Sequence, residues 1–300
     1  MDIAITGSTG LIGTALVGSL TAAGHRVLRL VRPDSDVSRF AEDTAEWDPS
    51  SGTIDAGALE GLDAVVHLAG VGIADSRWTE QQKGKILGSR TAGTSLLASA
   101  LARLDRPPAT LLSASGVGYY GDGGDEVLDE SAGPGDDFPA RVCVEWERCA
   151  QPAADAGIRV AHLRTGVVQA TEGGALAKQL PFFKLGLGGR AGSGRQYLSW
   201  ITLNDEVRAI EHLLTAPVAG PVNLVTPNPV TNAEYTNTLG RVLHRPTTVL
   251  PMTGPRLLYG RELADSLLLV SQRCAPAELE RSGFEWEDPH LEGALRSLLK

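Results

Sequence analysis

The chain begins Met1-Asp-Ile-Ala-Ile-Thr-Gly-Ser-Thr-Gly-Leu-Ile-Gly13 and continues Thr14-Ala-Leu-Val-Gly-Ser-Leu-Thr-Ala-Ala-Gly24. Ile3, Ala4 and Ile5 form a short apolar run without helical periodicity, whereas Leu11, Ile12, Ala15, Leu16 and Leu20 recur at helical spacing. The stretch therefore reads as strand, tight turn and helix. In such a turn Gly7 lets the chain bend, Gly10 lets a ligand approach the backbone, and Gly13 lets the helix pack close to the strand. The free N–H groups at the helix start, together with the helix dipole, favour an anionic pyrophosphate there. Gly7, Ser8, Thr9, Gly10, Leu11, Ile12 and Gly13 are thus the expected cradle of a dinucleotide. With 35 glycines in 300 residues a chance trio is common; the strand–turn–helix setting is what gives this one weight.

The next strand, Arg26-Val-Leu-Arg-Leu-Val-Arg32, ends about twenty residues after the glycine turn,. An acidic residue at that point accepts from a ribose 2′-hydroxyl, whereas an arginine suits a 2′-phosphate. Arg32 stands there, followed by Pro33 and Asp34, so NADP(H) is expected in preference to NAD(H). Asp63-Ala-Val-Val-His-Leu-Ala-Gly70 reads as a buried strand whose end flanks the same ligand through Leu68, Ala69 and Gly70, with His67 a strand residue rather than a catalyst,.

Trp78 to Leu104 reads as a long helix that carries Lys85, Ser89 and Arg90 near the ligand edge. Thr110-Leu-Leu-Ser-Ala-Ser115 is the next strand and opens into Gly116-Val-Gly-Tyr-Tyr-Gly121, where nicotinamide chemistry is expected. Asp136 to Asp155 reads as a helix capped near Asp136 or Asp137, and Arg159 to Val168 as a strand with a loop at the nicotinamide end,. Strands alternating with helices predict a doubly wound α/β fold with a parallel sheet, spanning residues 1–170. Residues 171–300 read as a smaller, mostly helical substrate region, from which about 200–225 return to the first domain. Within it lie a mobile-looking glycine stretch, Gly186–Gly194, a strand-like Arg195–Leu203, and a helix capped at Asn204 or Asp205,.

Composition excludes several classes. Hydrophobic residues make up 42% and charged residues 21%, ordinary for a globular protein,. No stretch approaches the roughly 20 apolar residues of a membrane helix, and the first strand starts at once, so a cytoplasmic location and no membrane partner are expected. A net charge of −9 argues against sequence-independent nucleic-acid binding,. Cys143, Cys149 and Cys274 have no metal spacing and read as reduced packing residues,. The expected partner is a small-molecule substrate.

The Thr6-Gly-Ser-Thr-Gly-Leu-Ile-Gly13 loop resembles that of the extended short-chain dehydrogenase/reductases, and Gly194-Arg-Gln-Tyr-Leu-Ser-Trp-Ile-Thr-Leu-Asn-Asp205 resembles a substrate-site segment of their sugar-nucleotide epimerases. Ser115-Gly-Val-Gly-Tyr-Tyr-Gly121, Trp146-Glu147, Leu163-Arg-Thr-Gly-Val-Val168, Gly186-Leu-Gly-Gly189 and Ser199-Trp-Ile201 are similar to one atypical branch, the NAD-dependent epimerase family, also called nucleoside-diphosphate-sugar epimerases. Residues 249–299 resemble the C-terminal domain of that branch. The resemblance implies a Rossmann domain that holds NADP(H) through the glycine loop, Arg32, Leu68, Ala69, Lys85, Arg90 and the Val167–Val168 loop. It also exposes a departure. The superfamily's Tyr-x-x-x-Lys, in which a lysine lowers the tyrosine pKa, is absent, and Asp136-Asp-Phe-Pro-Ala-Arg-Val-Cys-Val-Glu-Trp-Glu147 stands where it belongs. Tyr120 or Tyr119, with Ser115 bonding the reacting oxygen, is the expected replacement, and Arg141 and Arg164 are the cations that would stabilise a tyrosine anion. An oxidoreductase or epimerase follows; a regulatory protein that senses NADP(H) without catalysis is the alternative.

Overall fold

The computed structural model describes residues 1–40 and 42–300. Its centre is an eight-stranded sheet. We label its strands β1 (Asp2–Thr6), β2 (Arg26–Val31), β3 (Asp43–Asp48), β4 (Thr53–Ile54), β5 (Ala64–His67), β6 (Thr110–Gly116), β7 (Arg159–Thr165) and β8 (Gly220–Leu224). Their order across the sheet is β8-β7-β6-β5-β1-β2-β3-β4, and every pair is parallel except β3–β4. Strands β1, β2 and β5 are buried almost throughout because helices cover both faces of a parallel sheet, whereas β3, nearer the edge, alternates buried and exposed residues,.

On one face, helix α1 (Leu11–Ala22) and helix Leu203–Thr215 bury Leu16, Val17, Leu20, Ile210 and Leu213 against Ile3, Ile5, Leu112 and Leu163. On the other, helix α2 (Glu80–Leu101) and Gln151–Asp155 pack Leu97, Leu101 and Ala153 against Val65, Leu111 and Val160. A third core joins helices Gly174–Lys184, Asn232–Leu243 and Leu291–Leu298 around Trp200. Residues 200–225 contribute to the first unit through helix Leu203–Thr215 and through β8.

Several boundaries differ from expectation for local reasons. The long helix starts at Glu80, because the Thr79 side chain caps it by accepting from Gln82 N, and it ends at Leu101. The single helix expected over Asp136–Asp155 is two: helix α3 (Phe138–Arg148), capped by Asp137, and Gln151–Asp155. Pro152 has no N–H for the carbonyl four residues back, so one helix cannot run through it. Arg195–Leu203 is two short strands with different partners, Tyr197–Leu198 antiparallel to Val230–Thr231 and Trp200–Thr202 parallel to Val167–Gln169. Thr202, not Asn204 or Asp205, caps the helix that follows. Gly186–Gly194 is tied down: Gly189–Ala191 pairs with Thr248–Leu250, and a Cβ on Gly189 would lie 2.6 Å from the Thr248 carbonyl oxygen.

Candidate functional site

At the end of β1, Gly7 turns with φ +67°, and a Cβ there would meet the Leu68 backbone at 2.7 Å. A Cβ on Gly13 would sit 2.2 Å from the Gly7 carbonyl oxygen, so helix and turn touch through bare backbone. Thr14 N is the first to reach back along the helix, to the Gly10 carbonyl at 2.9 Å. The N–H groups of Leu11, Ile12 and Gly13 therefore have no intrahelical partner. Gly10 supplies no capping side chain and the first turn holds no acid. Ser8 is buried, while Thr9 and Gly10 face solvent. These residues fit an anionic pyrophosphate at the helix start.

Two arginines of β2 and its exit divide the work. Arg29 is buried, pairs with Glu42 at 2.8 Å and donates to the Ser8 carbonyl at 2.9 Å, so it braces the turn from behind. Arg32 is largely exposed, and its ion-pair partner among the described residues is Asp34 at 3.7 Å. Arg29 escaped sequence analysis because strand register, rather than motif spacing, sets its direction.

The segment after β5 is held by a buried chain of hydrogen bonds. Thr6 Oγ1 accepts from the N–H groups of Leu68 (3.1 Å) and Ala69 (3.2 Å), so its own proton goes to His67 Nδ1 at 2.7 Å. His67 Nε2 must then carry a hydrogen, which it gives to Thr94 Oγ1 at 2.9 Å. Burial lowers the His67 pKa to about 4 and keeps the ring neutral,. Ser89 accepts from Val71 N, and Arg90 donates to the Val71 carbonyl while lying 4.7 Å over the Trp146 ring. Arg90 also packs against Gly70, where a Cβ would be 3.3 Å from its guanidinium carbon. Lys85 is exposed on the same helix. Across the turn, Val167 N donates to the Ser199 carbonyl, and Val168 joins the α1 core. The Gly173–Gly174 loop brings this segment to Leu11, 3.4 Å from a Cβ on either glycine.

The corner at the end of β6 is arranged differently from expectation. Ser115, Arg164 and Asn223 are direct neighbours in the registers of β6–β7 and β7–β8, so their side chains form a row on the α3 face. Ser115 Oγ donates to Glu147 Oε1 at 2.7 Å, and Arg164 grips both Glu147 oxygens at 2.8 and 2.9 Å. Arg164 also donates to the Tyr120 hydroxyl at 3.0 Å, which in turn donates to Asn223 Oδ1 at 2.7 Å. Asn223 passes its amide hydrogens to the carbonyls of Leu128 and Ala275. Burial works to lower the Arg164 pKa, but bonding and attraction from Glu147 outweigh it and keep the guanidinium charged.

Tyr120, expected as a proton donor, is buried, and its hydroxyl hydrogen is directed to Asn223 Oδ1. Burial also pushes its pKa up, against the opposing pull of Arg164. Tyr119 lies half-buried with its ring 3.4 Å beneath the Arg164 guanidinium, and its hydroxyl has no hydrogen-bond partner among the described residues. Arg141 does not join the corner; it bonds the Asp136 carbonyl at the start of α3.

Cys143 and Glu147 were missed, although their spacing of four on one helix is the spacing of the absent Tyr-x-x-x-Lys. The Cys143 thiol is pushed up to about 11 by burial, and it donates to the Gly116 carbonyl at 3.6 Å. It stays a neutral thiol. Among the described residues no cluster of His, Cys, Asp and Glu could hold a metal.

Fold and turn together define a Rossmann-type α/β protein. The chain belongs to the NAD dependent epimerase/dehydratase family, whose model matches residues 3–225, and a domain of unknown function, DUF1731, matches residues 250–298. An epimerase family protein of Mycobacterium tuberculosis is 48% identical over 286 residues, 95% of this chain and 93% of that one. The human epimerase family protein SDR39U1, crystallised with NADPH, superposes with a TM-score of 0.89 at 35% identity, with 99% of each chain covered. A nucleoside-diphosphate sugar epimerase from Corynebacterium glutamicum superposes with a TM-score of 0.78 at 38% identity, over 99% of this chain and 58% of that one.

Proposed function

We propose that this protein binds NADP(H) and works as an oxidoreductase or epimerase on a small carbonyl or hydroxyl compound, sugar nucleotides among the classes to test. The observation that carries the reading is the glycine turn: backbone packing excludes a Cβ at Gly7 and Gly13, and three N–H groups at an uncapped, acid-free helix start have no partner within the helix. The NADPH in the human relative supports it. When bound, NADP(H) supplies a hydride. The amides of Leu11, Ile12 and Gly13 bind pyrophosphate, and Arg32 takes the 2′-phosphate through its charge and planar fork. Leu68, Ala69 and Gly70 flank the nucleotide, with Lys85, Arg90, Val167 and Val168 completing its surround. Tyr119, whose hydroxyl is uncommitted, is the proton donor. The Ser115 hydroxyl donates its hydrogen bond to Glu147, so in this arrangement it is free to accept from a substrate hydroxyl rather than to donate to a carbonyl,.

That last feature favours a second reading, a protein that senses NADP(H) without catalysis. Calorimetric titration of NADPH and NADH into the protein and its Arg32→Ala variant tests the binding. The expected preference for NADPH is at least about tenfold, or roughly 1.4 kcal/mol, and it disappears in the variant. If neither nucleotide binds, both readings fail. NADPH oxidation with a carbonyl panel separates them: turnover that falls in Tyr119→Phe supports catalysis, and no turnover with any carbonyl supports sensing.

A further inference from the structure

Two segments outside the nucleotide site contain no acidic residue. Gly173 to Asn204 holds Lys178, Lys184, Arg190 and Arg195, and Tyr235 to Arg261 holds Arg241, Arg245, Arg256 and Arg261, in a chain with 36 Asp and Glu against 27 Lys and Arg. The fold joins them. Gly189–Ala191 pairs with Thr248–Leu250, Arg245 donates to the Lys184 carbonyl at 2.8 Å, and Thr248 N donates to the Gly188 carbonyl at 3.0 Å.

Carboxylates from elsewhere cancel only part of this charge. Lys178, Lys184, Arg190, Arg195 and Arg245 form no ion pair among the described residues. Arg241 shares Glu292 with Arg296, and Arg256 shares Asp265 with Arg261, so each of these acids serves two cations. Beside Lys184 lies an open groove of about 720 Å³ whose lining includes Arg241, His244, Arg245 and Arg296.

Among the described residues, the same two segments carry seven of the twelve large hydrophobic side chains that stand exposed, including Phe182, Leu185 (72% exposed), Leu187, Val249, Leu257 (78%) and Leu258. Helix Thr253–Tyr259 buries none of its residues, so its leucines have no core to serve. In Arg256-Leu-Leu-Tyr-Gly-Arg261 an aliphatic pair and a tyrosine lie between two arginines. Aliphatic insertion, an aromatic at the interfacial level and cations among headgroups are the three elements of interfacial membrane binding.

We propose that this basic, apolar face docks reversibly on an anionic lipid bilayer, with the arginine-lined groove receiving headgroup phosphate. No described helix is long and apolar enough to cross a membrane, so the association is peripheral; it departs from the expectation of no membrane partner, which rested on the lack of a spanning segment. A second copy of the chain fits the face less well, because a self-matching contact would set cations against cations. Nucleic acid fits less well too, since the exposed side chains are mainly aliphatic and offer little to stack on bases.

The test is co-sedimentation of the full chain with vesicles of phosphatidylcholine alone or with phosphatidylglycerol at about seven to three. The expected result is binding to the anionic vesicles only, released by about 0.5 M salt as screening shortens the reach of charge. Leu257→Ser/Leu258→Ser and, separately, Lys184→Glu/Arg245→Glu should each weaken binding at least about tenfold. Both pairs are exposed, and unchanged thermal unfolding verifies that they fold. No pelleting, or equal pelleting with neutral vesicles, overturns the proposal. So does a dimer by light scattering that the leucine variant dissolves, or binding of polyglutamate without binding of vesicles, which would make the occupant a second copy or an acidic protein.

Discussion

Two corners of one sheet edge contrast sharply. At the β1–α1 turn, Gly7, Gly10 and Gly13 stand where a phosphate cradle needs them, and neighbouring backbone leaves no room for a Cβ at Gly7 or Gly13. At the end of β6, the residues expected to move a proton are bound to one another: Ser115 to Glu147, Glu147 to Arg164, Arg164 to Tyr120, and Tyr120 to Asn223. The first corner is backbone and leaves donors free. The second is side chain and consumes all of them but the Tyr119 hydroxyl, which has no hydrogen-bond partner among the described residues. One edge thus carries a backbone cradle at one corner and a side-chain brace at the other, and the two are separately breakable.

The largest effect is expected at the brace. Arg164→Met would leave the Glu147 carboxylate buried without its cation, a loss of about 3 to 5 kcal/mol. Glu147→Leu added to it should recover most of that loss, because the uncompensated charge then goes as well. Urea unfolding of the three proteins reads this directly, and a single-variant cost below about 1 kcal/mol would mean that the corner is not a coupled network. At the cradle, Gly13→Ala forces a Cβ against a backbone oxygen and should cost about 2 to 3 kcal/mol,. It should also weaken NADPH binding, whereas Arg164→Met should leave NADPH affinity nearly unchanged where the protein is folded. If both variants lose NADPH alike, the two corners are not independent.

The contrast also explains what could be read in advance. The cradle is local: a few consecutive residues fix the strand, the turn and the helix start, so periodicity and glycine spacing suffice. The brace draws on β6, α3, β7 and β8, and Ser115, Arg164 and Asn223 meet only because strands distant in sequence share a register. Tyr119 and Tyr120 are adjacent in sequence, yet one is half-buried and the other buried, a difference that no alternation within a turn announces. The signal left unused was the pair Cys143 and Glu147, four apart in the stretch where the missing motif belongs. Helix ends were less legible: Thr79 adjoins the helix it caps, yet the start was expected at Trp78, and the split at Cys149–Ala150 depended on weighing Pro152 against continuous periodicity.

Acidity compares the two faces of the sheet. His67, on the α2 face, has its pKa lowered to about 4 by burial from the ordinary 6.5. The unfolded chain then binds the extra proton, and stability falls as pH drops from 6.5 towards 4. Glu206, fully buried on the α1 face, has its pKa raised to about 8 by burial, with the Thr165 hydrogen bond opposing. Its contribution is fully present below 4.5 and is lost as pH rises towards 8. Between about 4.5 and 6.5 the slopes of these two groups oppose each other and largely cancel. From 6.5 to 8 Glu206 alone of the two acts, and its contribution to stability should fall by about 2 kcal/mol,. Denaturant unfolding at pH 5.5, 6.5 and 8 checks the profile. Glu206→Gln should remove the alkaline fall, and a fall that persists in that variant assigns it to another group.

The smallest expected effect bears most directly on the chemistry. Tyr120→Phe removes a hydroxyl that accepts from Arg164 and donates to Asn223, and about 1 kcal/mol of stability should go with it,. Arg164 keeps both bonds to Glu147, and Asn223 keeps its bonds to Leu128 and Ala275, so the corner holds its shape. Turnover in Tyr120→Phe should therefore match the parent once matched for folded protein, because no proton leaves that hydroxyl for a substrate. Tyr119→Phe reverses the pattern: its hydroxyl holds nothing in place, so stability should stay within about 0.5 kcal/mol, while turnover, if Tyr119 is the donor, should fall about 100-fold or more. Loss of turnover in Tyr120→Phe with NADPH affinity intact would return the proton to Tyr120, and the Arg164 bond would then be the means of delivering it.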